Sequence, residues 1–90
     1  NLKIEAEADT LEQAGQAATA GADIILLDNM SPEKLREAVK LVAGRSKLEA
    51  SGGITLVNIR AVAETGVDFI SVGALTHSPR AVDIAMDFAE

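Results

Sequence analysis

The sequence predicts an α/β fold of four consecutive strand–helix units with parallel strands. Three observations carry that expectation. Short apolar segments alternate with segments of helical periodicity, and the connections between them are only a few residues long. A glycine follows each of the first three helical stretches, where a left-handed residue ends a helix at least cost. In the first and third strand segments polar and apolar residues alternate, so those strands have one apolar and one polar face, while the second is a short apolar strand. With aromatic residues at only 2% of the 90, small aliphatic side chains must build the core, which suits helices packed on a sheet.

The elements follow in order. Residues 2–7 (LKIEAE) read as the first strand, and Thr10 caps a helix from Leu11 to Ala20 that Gly21 stops. Residues 23–28 (DIILLD) form the second strand. Ser31-Pro32 then supplies an N-cap and a first-turn proline for a helix to Ala43, ended by Gly44. Residues 47–51 (KLEAS) are the third strand, with a helix expected from Thr55 to Thr65 and Gly66 after it. Residues 68–72 (DFISV) are the fourth strand, and Ser78-Pro79 repeats the cap-plus-proline start of the last helix. Lys3-Ile4-Glu5-Ala6 recurs as Lys47-Leu48-Glu49-Ala50, and Gly21-Ala22-Asp23 as Gly66-Val67-Asp68, each two units on. Repeated βα units explain both echoes.

The strand faces locate the chemistry. If helices cover one side of the sheet, Ile4, Ala6, Leu48 and Ala50 turn toward them, leaving Lys3, Glu5, Glu7, Lys47, Glu49 and Ser51 on the other side. The same parity sends Asp28, Ser71 and Gly73 to the polar face. A doubly wound sheet would bury this charge under a second helix layer. A barrel tolerates it, because its lumen opens toward a site at the C-terminal strand ends. The sequence therefore reads as half of a TIM-like, incomplete α/β barrel. In such a barrel Lys3 is expected level with Lys47 and Glu5 with Glu49, with Lys–Glu contacts between layers. The alternative is that Lys3, Glu5 and Glu7 face solvent on an edge strand.

Composition excludes several functions. A net charge of −6 argues against nucleic acid or an anionic membrane as partner. No cysteine and a single histidine rule out a disulfide framework, a thiol nucleophile and a zinc site. No signal peptide or membrane-spanning run is visible, so a cytoplasmic location is expected.

Ser51-Gly52-Gly53 then reads as a phosphate seat. Its backbone N–H groups are accessible past glycines, Ser51 adds a hydroxyl, and the helix expected near Thr55 points its positive end there. Gly73, after the fourth strand, offers a second close approach on the neighbouring loop. The alternative is a pair of ordinary glycine turns. His77, before the last helix, is either a neutral ring donating to the phosphate or a solvent-exposed loop residue. Since Ser31 already caps its helix, Asp28 is free for ligand, and with Glu7 it can grip sugar hydroxyls or water on Mg²⁺.

The segments EAEADTLEQ, AGADIILLDNMSPE, LEASGGITLVNI and AETGVDFISVGALTHS together resemble the quinolinate phosphoribosyltransferase family. The resemblance runs along nearly the whole chain. It implies a dimeric, Mg²⁺-using glycosyltransferase that condenses quinolinate with phosphoribosyl pyrophosphate. The products are nicotinate mononucleotide, pyrophosphate and CO₂, a step of NAD biosynthesis. It implies that Glu7 and Asp28 hold the ribose hydroxyls and the magnesium shell as catalytic carboxylates, and that Ser51, Gly52, Gly53 and Gly73 seat the 5′-phosphate with His77 alongside. Glu5 and Glu49 then support the lumen. The family's cationic motifs for the two quinolinate carboxylates are absent from residues 1–90, so the chain is expected to be the C-terminal half of a barrel domain, a fragment of a larger enzyme inactive alone. Two other readings compete: a phosphate-binding barrel fragment without catalysis, and a structural half-barrel that self-associates.

Overall fold

The computed structural model describes residues 3–89. Among them five strands form one sheet in the order β1-β2-β3-β4-β5, with four helices. β1 (Glu5–Ala8), β2 (Ile24–Asp28), β3 (Lys47–Ser51) and β4 (Phe69–Val72) are mutually parallel, and β5 (Leu75–His77) runs antiparallel to β4. The helices are α1 (Leu11–Thr19), α2 (Pro32–Val42), α3 (Ile59–Ala63) and α4 (Pro79–Ala89). None is long and apolar enough to cross a membrane.

The first half obeys its local signals at the helix starts, while α2 ends at Val42 and Ala43, ahead of Gly44, is already left-handed at φ 52°. Thr10 Oγ1 accepts from Gln13 N at 3.1 Å, and Ser31 Oγ accepts from Lys34 N at 3.2 Å, so both side-chain caps satisfy donors at helix starts. Pro32 occupies the first turn of α2. β1 begins later than expected. Leu2 lies outside the described residues, and Lys3 and Ile4 precede the strand, although Ile4 O already accepts from Asp23 N at 2.8 Å.

The second half departs from expectation twice. The helix expected from Thr55 starts at Ile59 and has five residues. Asn58 is the cause: its Oδ1 accepts from Thr55 N at 2.8 Å and its Nδ2 donates to Gly53 O at 2.9 Å. Those bonds fold residues 53–58 into a turn that competes with helix. The fourth unit is also not a plain strand–helix pair. Val72 lies opposite Leu75, so Gly73-Ala74 is a two-residue hairpin turn leading into β5. Gly73 has φ +63°, the first-position glycine that a type II′ turn requires. Beyond it, Ser78 Oγ caps the last helix by accepting from Ala81 N at 3.1 Å.

Helices cover one face of the sheet only. Ile25, Leu27, Leu48, Ala50 and Ile70 are buried with Ala14, Leu35, Ala38, Val42, Ile59 and Val62 in a single core. Their strand neighbours Ile24, Leu26, Glu49, Phe69 and Ser71 face the other way and are only half-buried. The expected parity holds throughout β2, β3 and β4. In hydrogen-bond register Glu5 aligns through Ile24 with Lys47, and Glu7 through Leu26 with Glu49. Instead of contacting a glutamate between layers, Lys47 Nζ lies 3.9 Å from Asp68 Oδ1 at the start of β4.

Candidate active site

The bare face carries its polar groups in two rows. Register places Glu7, Leu26, Glu49 and Phe69 in one row across β1 to β4. One step toward the strand ends, Asp28 aligns with Ser51. Glu7 and Asp28 are thus diagonal neighbours on adjacent strands, sharing a face because side chains alternate along each strand. Glu7 is exposed and lines a depression of about 420 Å³ with Glu5, Ala6 and Leu26, while Asp28 is half-buried. Ser71 on β4 donates its hydroxyl proton to Glu49 Oε2.

The glycine pair has a physical cause within the chain. A Cβ on Gly52 would lie 2.5 Å from Asp28 Oδ1 and 2.7 Å from Asn29 Oδ1, and Gly52 has φ +77°. Only a residue without a side chain lets these groups pack against its backbone and adopts that conformation freely. Gly53 follows with φ +67°. The bridge from β3 to β4 ends at Ala50 and Ile70, so the backbone after Ala50 is released from its neighbour. As a result the N–H groups of Gly52, Gly53 and Ile54 donate no hydrogen bond among the described residues. With Ser51 beside them, they form an open set of donors at the end of the sheet.

Of the residues singled out in the sequence, Glu7, Asp28, Ser51, Gly52 and Gly53 come together at the C-terminal ends of β1 to β3. Gly73 stands at the tip of the β4–β5 hairpin, where an added Cβ would meet nothing within 4 Å. His77 lies elsewhere. It pairs with Ile70, and residues directly opposite on antiparallel strands share a face, so its ring lies on the helix side of the sheet. There it lines a cleft of about 300 Å³ with Leu56, Ile59, Val72, Val82 and Met86. The continuous helix expected from Thr55 is reduced to one hydrogen-bonded turn, Ile59 N donating to Thr55 O at 2.9 Å, ahead of the five-residue α3.

Two further residues shape the site. Asn29 adopts φ +53° and, besides packing over Gly52, its N–H donates to Ser51 O at 2.9 Å. Asn58 closes the loop as described. Their sequence signal is the asparagine's tolerance of left-handed backbone and its habit of bonding nearby main chain, beside strand ends and glycines. Among the described residues no group of three or more His, Cys, Asp or Glu could hold a metal ion. The carboxylates of Glu7, Asp28 and Glu49 on the bare face remain as hard oxygen donors.

Comparison with known proteins agrees across sequence and structure. Residues 1–87 match the family model described as quinolinate phosphoribosyl transferase, C-terminal domain. The chain is 49% identical over 86 residues to a probable nicotinate-nucleotide pyrophosphorylase (carboxylating) of Bacillus subtilis, covering 96% of this chain and 30% of that protein. It is 42% identical over 88 residues to the human nicotinate-nucleotide pyrophosphorylase (carboxylating), covering 94% and 30%. The crystal structure of nicotinate-nucleotide pyrophosphorylase from Ehrlichia chaffeensis superposes with a TM-score of 0.77 at 44% identity, over 81% of this chain and 27% of that one. The chain therefore spans about 30% of the length of these curated relatives.

Proposed function

The chain belongs to the quinolinate phosphoribosyl transferase family, matching its C-terminal domain, and from that premise we propose that it holds the phosphoribosyl group in a complete phosphoribosyltransferase. In this reading the complete enzyme is a cytoplasmic homodimer. It converts quinolinate and phosphoribosyl pyrophosphate to nicotinate mononucleotide, pyrophosphate and CO₂. The chain contributes the C-terminal half of an α/β barrel, and the rest of the enzyme supplies the opposing wall and the cations for the two quinolinate carboxylates. The single-sided helix cover supports this geometry: Ile24, Leu26 and Phe69 stand half-buried on a face that a closed barrel would pack.

The observation that carries the reading is the juxtaposition of two unlike groups at the strand ends. The carboxylates of Glu7 and Asp28 accept hydrogen bonds only, which suits sugar hydroxyls. The amides of Gly52, Gly53 and Ile54 donate only, which suits a phosphate. A phosphoribosyl group carries both complements. Asp28, packed on Gly52, lies between them. Ser51 adds its hydroxyl at the phosphate end, while Gly73 stands apart at the hairpin tip and His77 lies on the helix side beside Leu56.

Glu7 and Asp28 would hold Mg²⁺ directly or through its waters, with water and substrate oxygens completing the shell that two carboxylates cannot fill by themselves. When bound, it would neutralise charge on the leaving pyrophosphate. Glu7 and Asp28 also stabilise positive charge that develops on the ribose as pyrophosphate leaves. Asp28→Asn in the complete enzyme keeps the shape and removes the charge. Turnover should fall by about 10²-fold, more than the Michaelis constant for phosphoribosyl pyrophosphate rises. Unchanged turnover would remove Asp28 from the reaction.

A further inference from the structure

The β4–β5 hairpin brings hydroxyls to the bare face, and their donor directions can be worked out. Ser71 Oγ donates to Glu49 Oε2 and lies 3.3 Å from Thr76 Oγ1, directly opposite it on β5. A hydroxyl has one proton to give, and an ionised carboxylate has none. With the Ser71 proton committed to Glu49, the contact between the two hydroxyls takes the Thr76 proton. The donors therefore point one way, from β5 across β4 to the carboxylate on β3.

Glu49 needs that support. In its row it stands between Leu26 and Phe69, neither of which offers a side-chain hydrogen bond. Its side chain is half-buried, and Oε1 accepts no hydrogen bond among the described residues. One oxygen is thus held by the hydroxyl chain and the other is left for a ligand. Glu7 and Asp28, on the same face, are also acceptors. A ligand group lying against all three must be rich in donors, which matches the hydroxyls of a sugar and not a phosphate.

We infer that Ser71 and Thr76 are positioning residues, whose hydroxyl chain fixes the Glu49 carboxylate so that its free oxygen accepts a ribose hydroxyl of the phosphoribosyl group. The inference rests on the phosphoribosyl reading above and adds to it two residues that touch no substrate. Ser71→Ala leaves Glu49 without its donor, and Thr76→Val removes the hydroxyl that donates to Ser71 Oγ and orients it toward Glu49.

The test is steady-state kinetics on the complete enzyme with each substrate varied in turn. Ser71→Ala and Thr76→Val should each raise the Michaelis constant for phosphoribosyl pyrophosphate, Ser71→Ala by about tenfold, the effect of losing a hydrogen bond to a charged group. The Michaelis constant for quinolinate and the thermal midpoint should move little. Thr76→Ser, which restores the donor, should recover the wild-type constant. The double variant should be no worse than Ser71→Ala alone, because both changes break one chain. Thr76 is exposed, so its variants fold even if Ser71→Ala does not. A lowered thermal midpoint with an unmoved Michaelis constant, or additive effects in the double variant, would overturn the inference alone. A wild-type enzyme that makes no nicotinate mononucleotide would instead overturn the functional reading, and this inference with it.

Discussion

The two halves of this sheet are built differently, although each begins with the same four-residue pattern of lysine, aliphatic, glutamate and alanine. From β1 to α2, each strand passes within a few residues to a capped helix, and side-chain caps at Thr10 and Ser31 satisfy the first turns. From β3 to β5, the chain turns through two left-handed glycines, delays its helix to five residues and inserts a hairpin. In the first half each of these caps takes up one donor at a helix start. The second leaves the Gly52, Gly53 and Ile54 amides without a partner among the described residues and exposes Leu56 at 81% and Val57 at 96%. Regularity serves stability in one half, and departure from it leaves backbone donors and apolar side chains exposed in the other.

That contrast makes stability and binding separable. Leu27→Ala, in the fully buried core of the regular half, should cause the largest loss of stability, about 2–5 kcal/mol. Thermal unfolding of the complete enzyme would register it. Affinity for phosphoribosyl pyrophosphate, measured well below the midpoint, should stay near wild type. A large affinity loss there would mean that the two halves are not separable.

Asn58→Ala should reverse the pattern. It removes two hydrogen bonds on an exposed loop, which together stabilise the fold by about 1–3 kcal/mol, yet it frees the turn that presents the amides. Binding of phosphoribosyl pyrophosphate should weaken more than the thermal midpoint falls. Equal affinity would show that the loop's shape does not depend on Asn58. The smallest effect is expected from Ser31→Ala, which loses one N-cap and about 1 kcal/mol, with no change in any kinetic constant. A kinetic effect from this cap would couple α2 to the site in a way the geometry does not contain.

How much of this was legible in the sequence follows the same division. Caps, first-turn prolines and the strand KLEAS are local signals, and the structure follows them within a residue or two. The polar face was legible because alternation has a period of two and a one-residue slip would bury every charge. Glu7, Asp28, Ser51, Gly52 and Gly53 could therefore be grouped before any coordinates. The hairpin was not legible, since β5 has three residues, too few for a pattern, and Gly73-Ala74 reads equally as a loop. With the hairpin went the side on which His77 lies, because that depends on the pairing with Ile70. The short α3 was missed because Asn58 acts through its side chain on the main chain, outside any hydrophobic period. Gly52 teaches a related point. Two glycines beside a serine suggested that something approaches the backbone, and within the chain it is the Asp28 and Asn29 side chains that do so.

The central claim is that the loop after β3 and the carboxylates beside it seat one phosphoribosyl group. Calorimetric titration of phosphoribosyl pyrophosphate into the complete enzyme carrying Gly52→Val tests it most directly. A branched side chain at φ +77° strains the turn by about 1–3 kcal/mol and strikes Asp28 and Asn29, so it disturbs both parts of the seat at once. The account predicts at least about a tenfold loss of affinity, the equivalent of about 1.4 kcal/mol, in protein that remains folded. Wild-type affinity in a folded Gly52→Val enzyme would contradict it.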